Sequence, residues 1–149
     1  MKQVHSGAPS YAICVLGALF NFGLLPLNLG FTSWESIASH DEAFSWVGQV
    51  SILLWGGAYF AARNLKSGDA ASDLFLLFAF EKLLYVVNFV SWHSTHNVRA
   101  LWSKAFDTAQ VDLHMSALFY TVYGVGDLIF CLLFASLWLV SRRNTRKAE

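Results

Sequence analysis

The segment Leu74–Trp92, with the sequence LFLLFAFEKLLYVVNFVSW, most constrains what this chain can fold into. Its nineteen residues are mainly Leu, Phe and Val. At about 1.5 Å per residue, a helix of that length crosses the hydrocarbon core of a bilayer. Glu81 and Lys82 nevertheless lie near its middle, where an ionisable side chain costs about 2.5–3.5 kcal/mol on insertion scales. The segment therefore predicts a membrane-spanning helix whose charged residues face protein or a cavity.

Helical spacing divides this segment into two faces. Residues three or four apart form a polar and aromatic stripe, which consists of Phe78, Glu81, Tyr85, Asn88 and Trp92. The opposite side is purely apolar and contains Leu76, Phe80, Leu84 and Val87. Because side chains at this spacing share one face of a helix, we predict that the stripe faces the protein interior and the apolar side faces lipid.

The composition extends this prediction to the whole chain. Hydrophobic residues make up 56% of the sequence and charged residues only 13%, against about 25% charged in soluble domains. We predict a single domain over residues 1–149 with four spans, at about 11–30, 46–62, 74–92 and 115–140. The segment 97–113 mixes aromatic and charged residues, so it is a candidate interfacial amphipathic helix.

The distribution of basic residues predicts the orientation of the spans. Seven of the ten Lys and Arg residues precede the first span, join the second to the third, or follow the fourth. By the positive-inside rule, both termini are then cytoplasmic. Short connections favour antiparallel neighbours. The predicted fold is an all-α integral membrane four-helix bundle of up-down-up-down topology in a bacterial inner (plasma) membrane. The net charge of zero gives no reason to expect nucleic acid as a partner.

Polar residues inside the spans are the main candidates for function. Glu81 and Asp127 both fall near the predicted midplane and are the candidate catalytic or proton-binding residues. Lys82 can neutralise one of them in an ion pair, which would be purely structural. Two carboxylates that share one lysine leave one negative charge over, and this favours a functional role. Asn21 and Asn28 are seven residues apart, so we expect them to bond to neighbouring helices.

Aromatic residues on the third and fourth spans predict a ligand pocket above these carboxylates. Its candidate ligand-binding residues are Tyr85, Asn88, Trp92, Tyr120 and Tyr123. Apolar walls with a few convergent polar groups are typical of small-molecule sites. The alternative is a packed aromatic core whose hydroxyl groups bond locally.

Histidines on the predicted outer side form a second constellation. His93 and His96 are three residues apart, and His114 follows in an Asp-Leu-His sequence. Zinc or copper accepts such imidazole and carboxylate ligands. No His-Glu-x-x-His motif is present, and hydrogen bonding at the membrane interface is the alternative. The sequence identifies no cofactor.

The compact four-span layout, with FAFEKLLY in the third span, resembles small bacterial membrane proteins of the DoxX-like kind. That resemblance implies an inner-membrane partner of redox or quinone-linked systems. The pattern of Glu81, Asn88 and Trp92 is also similar to that of sterol-isomerase-type four-span binding domains.

The predicted function is binding of a lipophilic small molecule or lipid in a pocket within the bundle. Besides the lipid bilayer and that ligand, the protein would have a second copy of itself or a larger membrane complex as its partner. Two alternatives stay open from the sequence. One is a proton-coupled small transporter, and the other is a membrane isomerase or redox enzyme that uses Glu81 or Asp127 as general acid or base. The sequence does not decide whether the protein is an enzyme.

Overall fold

A computed structural model of the chain describes residues 7–29, 44–65, 69–96, 98–108 and 111–147. Within these ranges the protein is all-helical. The helices are α1 (Gly7–Leu29), α2 (Trp46–Ala62), α3 (Asp69–His96), α4 (Val98–Thr108) and α5 (Val111–Arg146). Helices occupy all four predicted spans, and α4 falls in the segment predicted to be interfacial. The predicted loop between the first two spans lies mostly outside the described residues.

Three of these helices are long and apolar enough to cross a membrane, as a membrane protein requires. The qualifying segments are Ala8–Leu27 in α1, Asp69–Thr95 in α3 and Ala117–Arg146 in α5. Helix α2 has 17 residues and is therefore about 25 Å long, compared with about 30 Å for the hydrocarbon core.

Helix α2 ends where a basic side chain satisfies one of its last carbonyl groups. The guanidinium group of Arg63 donates a hydrogen bond to the carbonyl oxygen of Phe60 at 2.6 Å and lies 3.9 Å from the centre of the Phe60 ring. Carbonyls in the last turn of a helix have no intrahelical partner, and a cation there interacts favourably with the helix dipole. The positive charge is thereby fixed at the end of an otherwise uncharged helix.

Helix α5 is the centre of the packing. It contacts α3 along much of its length and also packs against α1 and α4, while α2 packs against α1. The indole nitrogen of Trp102 ties α4 to α5 by donating to the hydroxyl oxygen of Thr121 at 3.0 Å. Two glycines permit close approach: a Cβ atom at Gly56 would lie 2.8 Å from the ring of Phe22, and one at Gly124 would lie 2.5 Å from the ring of Phe89.

The outward faces of the helices are apolar, as predicted for α3. Leu76, Phe80, Leu84 and Val87 are 43–58% exposed, whereas Phe78 and Glu81 on the predicted inner face are buried. Large apolar residues are also exposed along α1, α2 and α5. This pattern suits a hydrocarbon environment, in which outward apolar side chains need no polar cover.

The buried residues form two apolar clusters with a polar layer between them. The first cluster contains Cys14, Ala18, Tyr59, Phe78 and Phe134 among others. The second contains Leu24, Phe44, Trp92, Phe119, Tyr120 and Tyr123 among others. On α1, α3 and α5, the buried polar residues Asn21, Glu81, Lys82 and Asp127 fall in sequence between members of the two clusters. The helices therefore bring their polar residues to a common level.

Candidate functional site

A buried lysine lies at the centre of the polar layer. Lys82 is 1% exposed, and its ammonium nitrogen donates to Asp127 Oδ1 at 2.6 Å and to Asn21 Oδ1 at 2.8 Å. A short hydrogen bond between charged groups is among the stronger polar contacts in proteins. Lys82 is thus neutralised by Asp127, and the sequence had left open which carboxylate would do this.

Asn21 is held so that its oxygen faces the lysine. Its amide nitrogen donates to the carbonyl oxygen of Ile52 in α2 at 3.2 Å, which leaves Oδ1 to accept from Lys82. Asn21 therefore links α1 to both α2 and α3, and the prediction that it bonds to neighbouring helices is confirmed. The side chain of Asn28, for which the same was predicted, lies outside the described residues.

Glu81 is buried but less completely paired than Asp127. The Tyr59 hydroxyl of α2 donates to Glu81 Oε2. The other oxygen, Oε1, lies 3.9 Å from the Lys82 ammonium, beyond hydrogen-bonding distance. Oε1 has no hydrogen-bond partner in the described part of the chain. A buried acceptor without a partner costs about 1–3 kcal/mol, so this oxygen is a candidate contact for a ligand.

A groove of about 370 Å³ lies between α2 and α3, with Glu81 in its wall. Its lining residues are Ser51, Trp55, Leu77, Phe80, Glu81, Leu84, Tyr85 and Asn88. The rest of the lining combines large apolar side chains with a hydroxyl, an amide and a phenol. The volume is within the range of small-molecule sites, which are mostly apolar with a few placed polar groups. The groove can therefore hold an organic molecule beside the Glu81 carboxylate.

A much smaller void lies on the inner side of Glu81. Its volume is about 10 Å³, which is close to the least that one water molecule needs. The polar side chains around it are Asn21, Glu81, Lys82, Tyr85, Tyr123 and Asp127. Both carboxylates thus line one internal space, but of the two only Glu81 also lines the groove.

The five predicted ligand-binding residues fall into two groups. Tyr85 and Asn88 line the groove. Trp92 and Tyr120 stack on each other with ring centres 3.8 Å apart in the second apolar cluster. Tyr123 connects the groups, because its hydroxyl donates to the carbonyl oxygen of Tyr85 at 2.8 Å and accepts from the Asn88 amide at 3.3 Å. The α3–α5 rings are therefore closely packed, and the larger space lies between α3 and α2.

Sequence reasoning did not identify the α2 residues of this site. Tyr59 holds Glu81, and Ser51 and Trp55 line the groove. Tyr59 is the only tyrosine in its span, and a buried tyrosine hydroxyl needs a hydrogen-bond partner. The need of Tyr59 for a partner could therefore be read from the sequence, although the sequence does not indicate on which helix that partner lies.

The predicted metal site falls mainly on side chains that the structure does not describe. His93 is exposed, and its ring stacks on Phe89 with centres 5.9 Å apart. The side chains of His96 and His114 lie outside the described residues. Among the residues that are described, no three His, Cys, Asp or Glu side chains form a group that could hold a metal ion. The three-histidine site stays a prediction.

Comparison of the chain with protein-family models, with curated proteins and with solved structures gave no match. The resemblance to DoxX-like and sterol-isomerase-type proteins therefore stays an expectation from sequence.

Proposed function

We propose that this chain is a four-span membrane protein that binds a lipophilic molecule in the groove between α2 and α3. The polar end of the ligand would lie against Glu81. One observation carries the proposal: a buried carboxylate oxygen without a hydrogen-bond partner belongs to a side chain in the wall of a largely apolar groove of about 370 Å³.

The proposal includes the arrangement of the helices in the membrane, because a four-span protein requires α2 to cross the membrane as well. Residues from Trp46 to Ala62 carry no charge, and Arg63 follows directly. A helix slightly shorter than the hydrocarbon core is accommodated by local thinning and by its flanking residues. The ends of α2 and α5 would then share the cytoplasmic side with both termini, since Arg63 and the arginines of α5 lie there. We assign the protein to a bacterial inner membrane.

A ligand explains the site better than a purely structural role. The Lys82–Asp127 pair is complete without Glu81, so Glu81 is not needed to neutralise the lysine. A donor group on a ligand would satisfy Oε1, and Tyr85 and Asn88 add polar groups along the groove. Leu77, Phe80 and Leu84 line the groove and are also exposed on the outward face of α3. A molecule dissolved in the bilayer would therefore reach the groove laterally.

Occupation of the groove can be tested by filling it. Leu84→Trp places a larger side chain in the groove, whereas the adjacent Leu83→Trp is a matched control because Leu83 is also exposed and does not line the groove. We expect native mass spectrometry of protein purified in mild detergent to detect a bound lipid or small molecule. It should be retained in Leu83→Trp and lost in Leu84→Trp. Equal ligand content in both variants would contradict the proposal.

A further inference from the structure

The charges at the site indicate the chemical class of the ligand. Lys82 and Asp127 neutralise each other at 2.6 Å, and the ammonium group is also engaged by Asn21. Glu81 receives only a neutral donor, the Tyr59 hydroxyl, and lies 3.9 Å from the lysine nitrogen. When all three ionisable groups are charged, one negative charge is left on Glu81. Isolated charge is strongly disfavoured away from water, so this carboxylate has to be neutralised.

We infer that the groove binds a lipophilic cation whose charged head lies against Glu81, in exchange for a proton. This inference rests on the proposed function and adds the charge of the ligand. A protonated amine would balance Glu81 and donate a hydrogen bond to the free Oε1. Trp55, Phe80 and Tyr85 line the same groove, and aromatic rings attract cations most strongly in desolvated sites.

The exchange of a proton for the cation follows from the groups that face Glu81. Around it, α1 contributes the neutral Asn21, α2 contributes Tyr59, α5 contributes Asp127 and Cys131, and α3 itself contributes Lys82 and Tyr85. Lys82 is the one cation in this described set, and Asp127 engages it. In the empty groove, a proton on Glu81 removes the excess charge. When the cation binds, the carboxyl O–H bond breaks, the proton forms an O–H bond with a water molecule, and no covalent bond forms between ligand and protein.

A pair of probes that differ in charge separates this inference from the proposed function. Dodecylammonium and dodecanol have the same chain and both carry a donor head group, but only the first is charged. We expect dodecylammonium to bind at least tenfold more tightly than dodecanol by isothermal titration calorimetry. Since one proton is released, its affinity should rise with pH by up to about tenfold per unit until Glu81 is ionised. The affinity for dodecanol should not rise with pH.

Three variants make each result interpretable. Glu81→Gln should abolish the preference for the charged probe, and Leu84→Trp should abolish binding of both probes while Leu83→Trp retains it. If both probes bind wild type equally and without pH dependence, and Leu84→Trp blocks both, the groove is a binding site and the cation inference is wrong. If neither probe binds wild type, both the cation inference and the proposed function are wrong. Should Glu81→Gln not fold, the pH dependence in wild type decides the question.

A second site is indicated independently at the cytoplasmic end proposed for α5. A cavity of about 190 Å³ there is lined by Trp138, Leu139, Arg142, Arg143 and Arg146. The indole nitrogen of Trp138 is buried and has no hydrogen-bond partner in the described ranges. Three arginines and a tryptophan whose N–H donor is unpaired within these ranges therefore line one concave space.

We infer that this cavity binds the phosphate group of an anionic phospholipid. Guanidinium groups match phosphate oxygens geometrically and can contact them bidentately. Basic pockets at the cytoplasmic ends of membrane helices recognise acidic head groups. A lipid is favoured over free phosphate because the exposed apolar side chain of Leu139 lines the same cavity and can contact an acyl chain.

Reconstitution in nanodiscs tests this assignment. A fluorescent phosphatidylglycerol should bind the wild type, and Arg142→Gln/Arg146→Gln should weaken it at least fivefold. Arg63→Gln/Arg99→Gln is the control, because it removes the same charge elsewhere and should have little effect. Millimolar inorganic phosphate should not displace the lipid. Displacement of the lipid by phosphate would show that the cavity binds free anions. Equal weakening of lipid binding by both double variants would show that the lipid is attracted by charge without a specific site. Either result overturns the lipid site.

Discussion

Removing the charge of Asp127 should destabilise the protein much more than removing that of Glu81. Asp127→Asn takes away the carboxylate that lies 2.6 Å from the Lys82 ammonium, in a place where both side chains are almost fully buried. Breaking a buried ion pair by removing one partner costs about 3–5 kcal/mol. We expect the lower end of this range, because Glu81 at 3.9 Å can give up its proton in this variant and then attract the lysine.

Glu81→Gln should cost less than about 1 kcal/mol. The amide keeps an oxygen that can accept from Tyr59, and Lys82 keeps Asp127. For a chain of about this length, 1 kcal/mol moves the melting temperature by about 2–4 °C. A loss of about 3 kcal/mol in Asp127→Asn therefore predicts a decrease of about 6–12 °C, compared with a few degrees at most for Glu81→Gln.

Thermal unfolding followed by tryptophan fluorescence in one detergent measures both values. The double variant Glu81→Gln/Asp127→Asn removes both counter-charges from Lys82, so its loss should exceed the sum of the two single losses. Replacing Lys82 by Met in that background should then recover stability, because no buried charge remains. Similar small decreases in both single variants, or a larger decrease for Glu81→Gln, would refute the assignment of Asp127 as the structural partner.

Three further predictions concern orientation, metal and packing. A cysteine at Ser103 should react with an impermeant thiol reagent added to spheroplasts; labelling only after the inner membrane is opened would reverse the proposed orientation. If the outer histidines bind metal, purified protein should carry stoichiometric zinc or copper and His96→Ala should lose it, whereas metal-free protein unaffected by added zinc or copper would exclude the site. Gly124→Ala should cost about 1–3 kcal/mol, because its Cβ would lie 2.5 Å from the ring of Phe89. Gly57→Ala, which meets nothing within 4 Å, should leave the melting temperature unchanged or slightly higher, and equal losses in both variants would contradict the close α3–α5 approach.

The inner and outer faces of α3 could be predicted from sequence because they depend only on helical spacing. Leu76, Phe80 and Leu84 are exposed, while Phe78 and Glu81 are buried. The burial of Asp127 follows from the same principle, since a charge near the predicted midplane has to face protein. These predictions use positions along one helix and do not require knowledge of its neighbours.

The partners of these residues could not be predicted in the same way. That Lys82 bonds to Asp127, and that Tyr59 bonds to Glu81, depends on which helices lie side by side. It also depends on how each side chain extends across the bundle. The faces that Trp92 and Tyr120 share with the carboxylates predict a pocket, yet the two rings stack with centres 3.8 Å apart. A stripe of aromatic residues has the same spacing whether it lines a space or fills it.

The pairing of Lys82 with Asp127 also bears on how the chain enters a membrane. Each charged residue adds about 2.5–3.5 kcal/mol to the cost of inserting its helix alone, and the two residues are 45 positions apart in sequence. In the proposed four-span arrangement, a nascent chain that has emerged only as far as α4 therefore carries a lysine at mid-bilayer depth that has not yet met Asp127. Lys82 gains its hydrogen-bonded counter-charge, Asp127, only when α5 arrives beside α3. Stable integration of the two helices is consequently a single event, and chains truncated before Asp127 should remain at the translocon or be degraded.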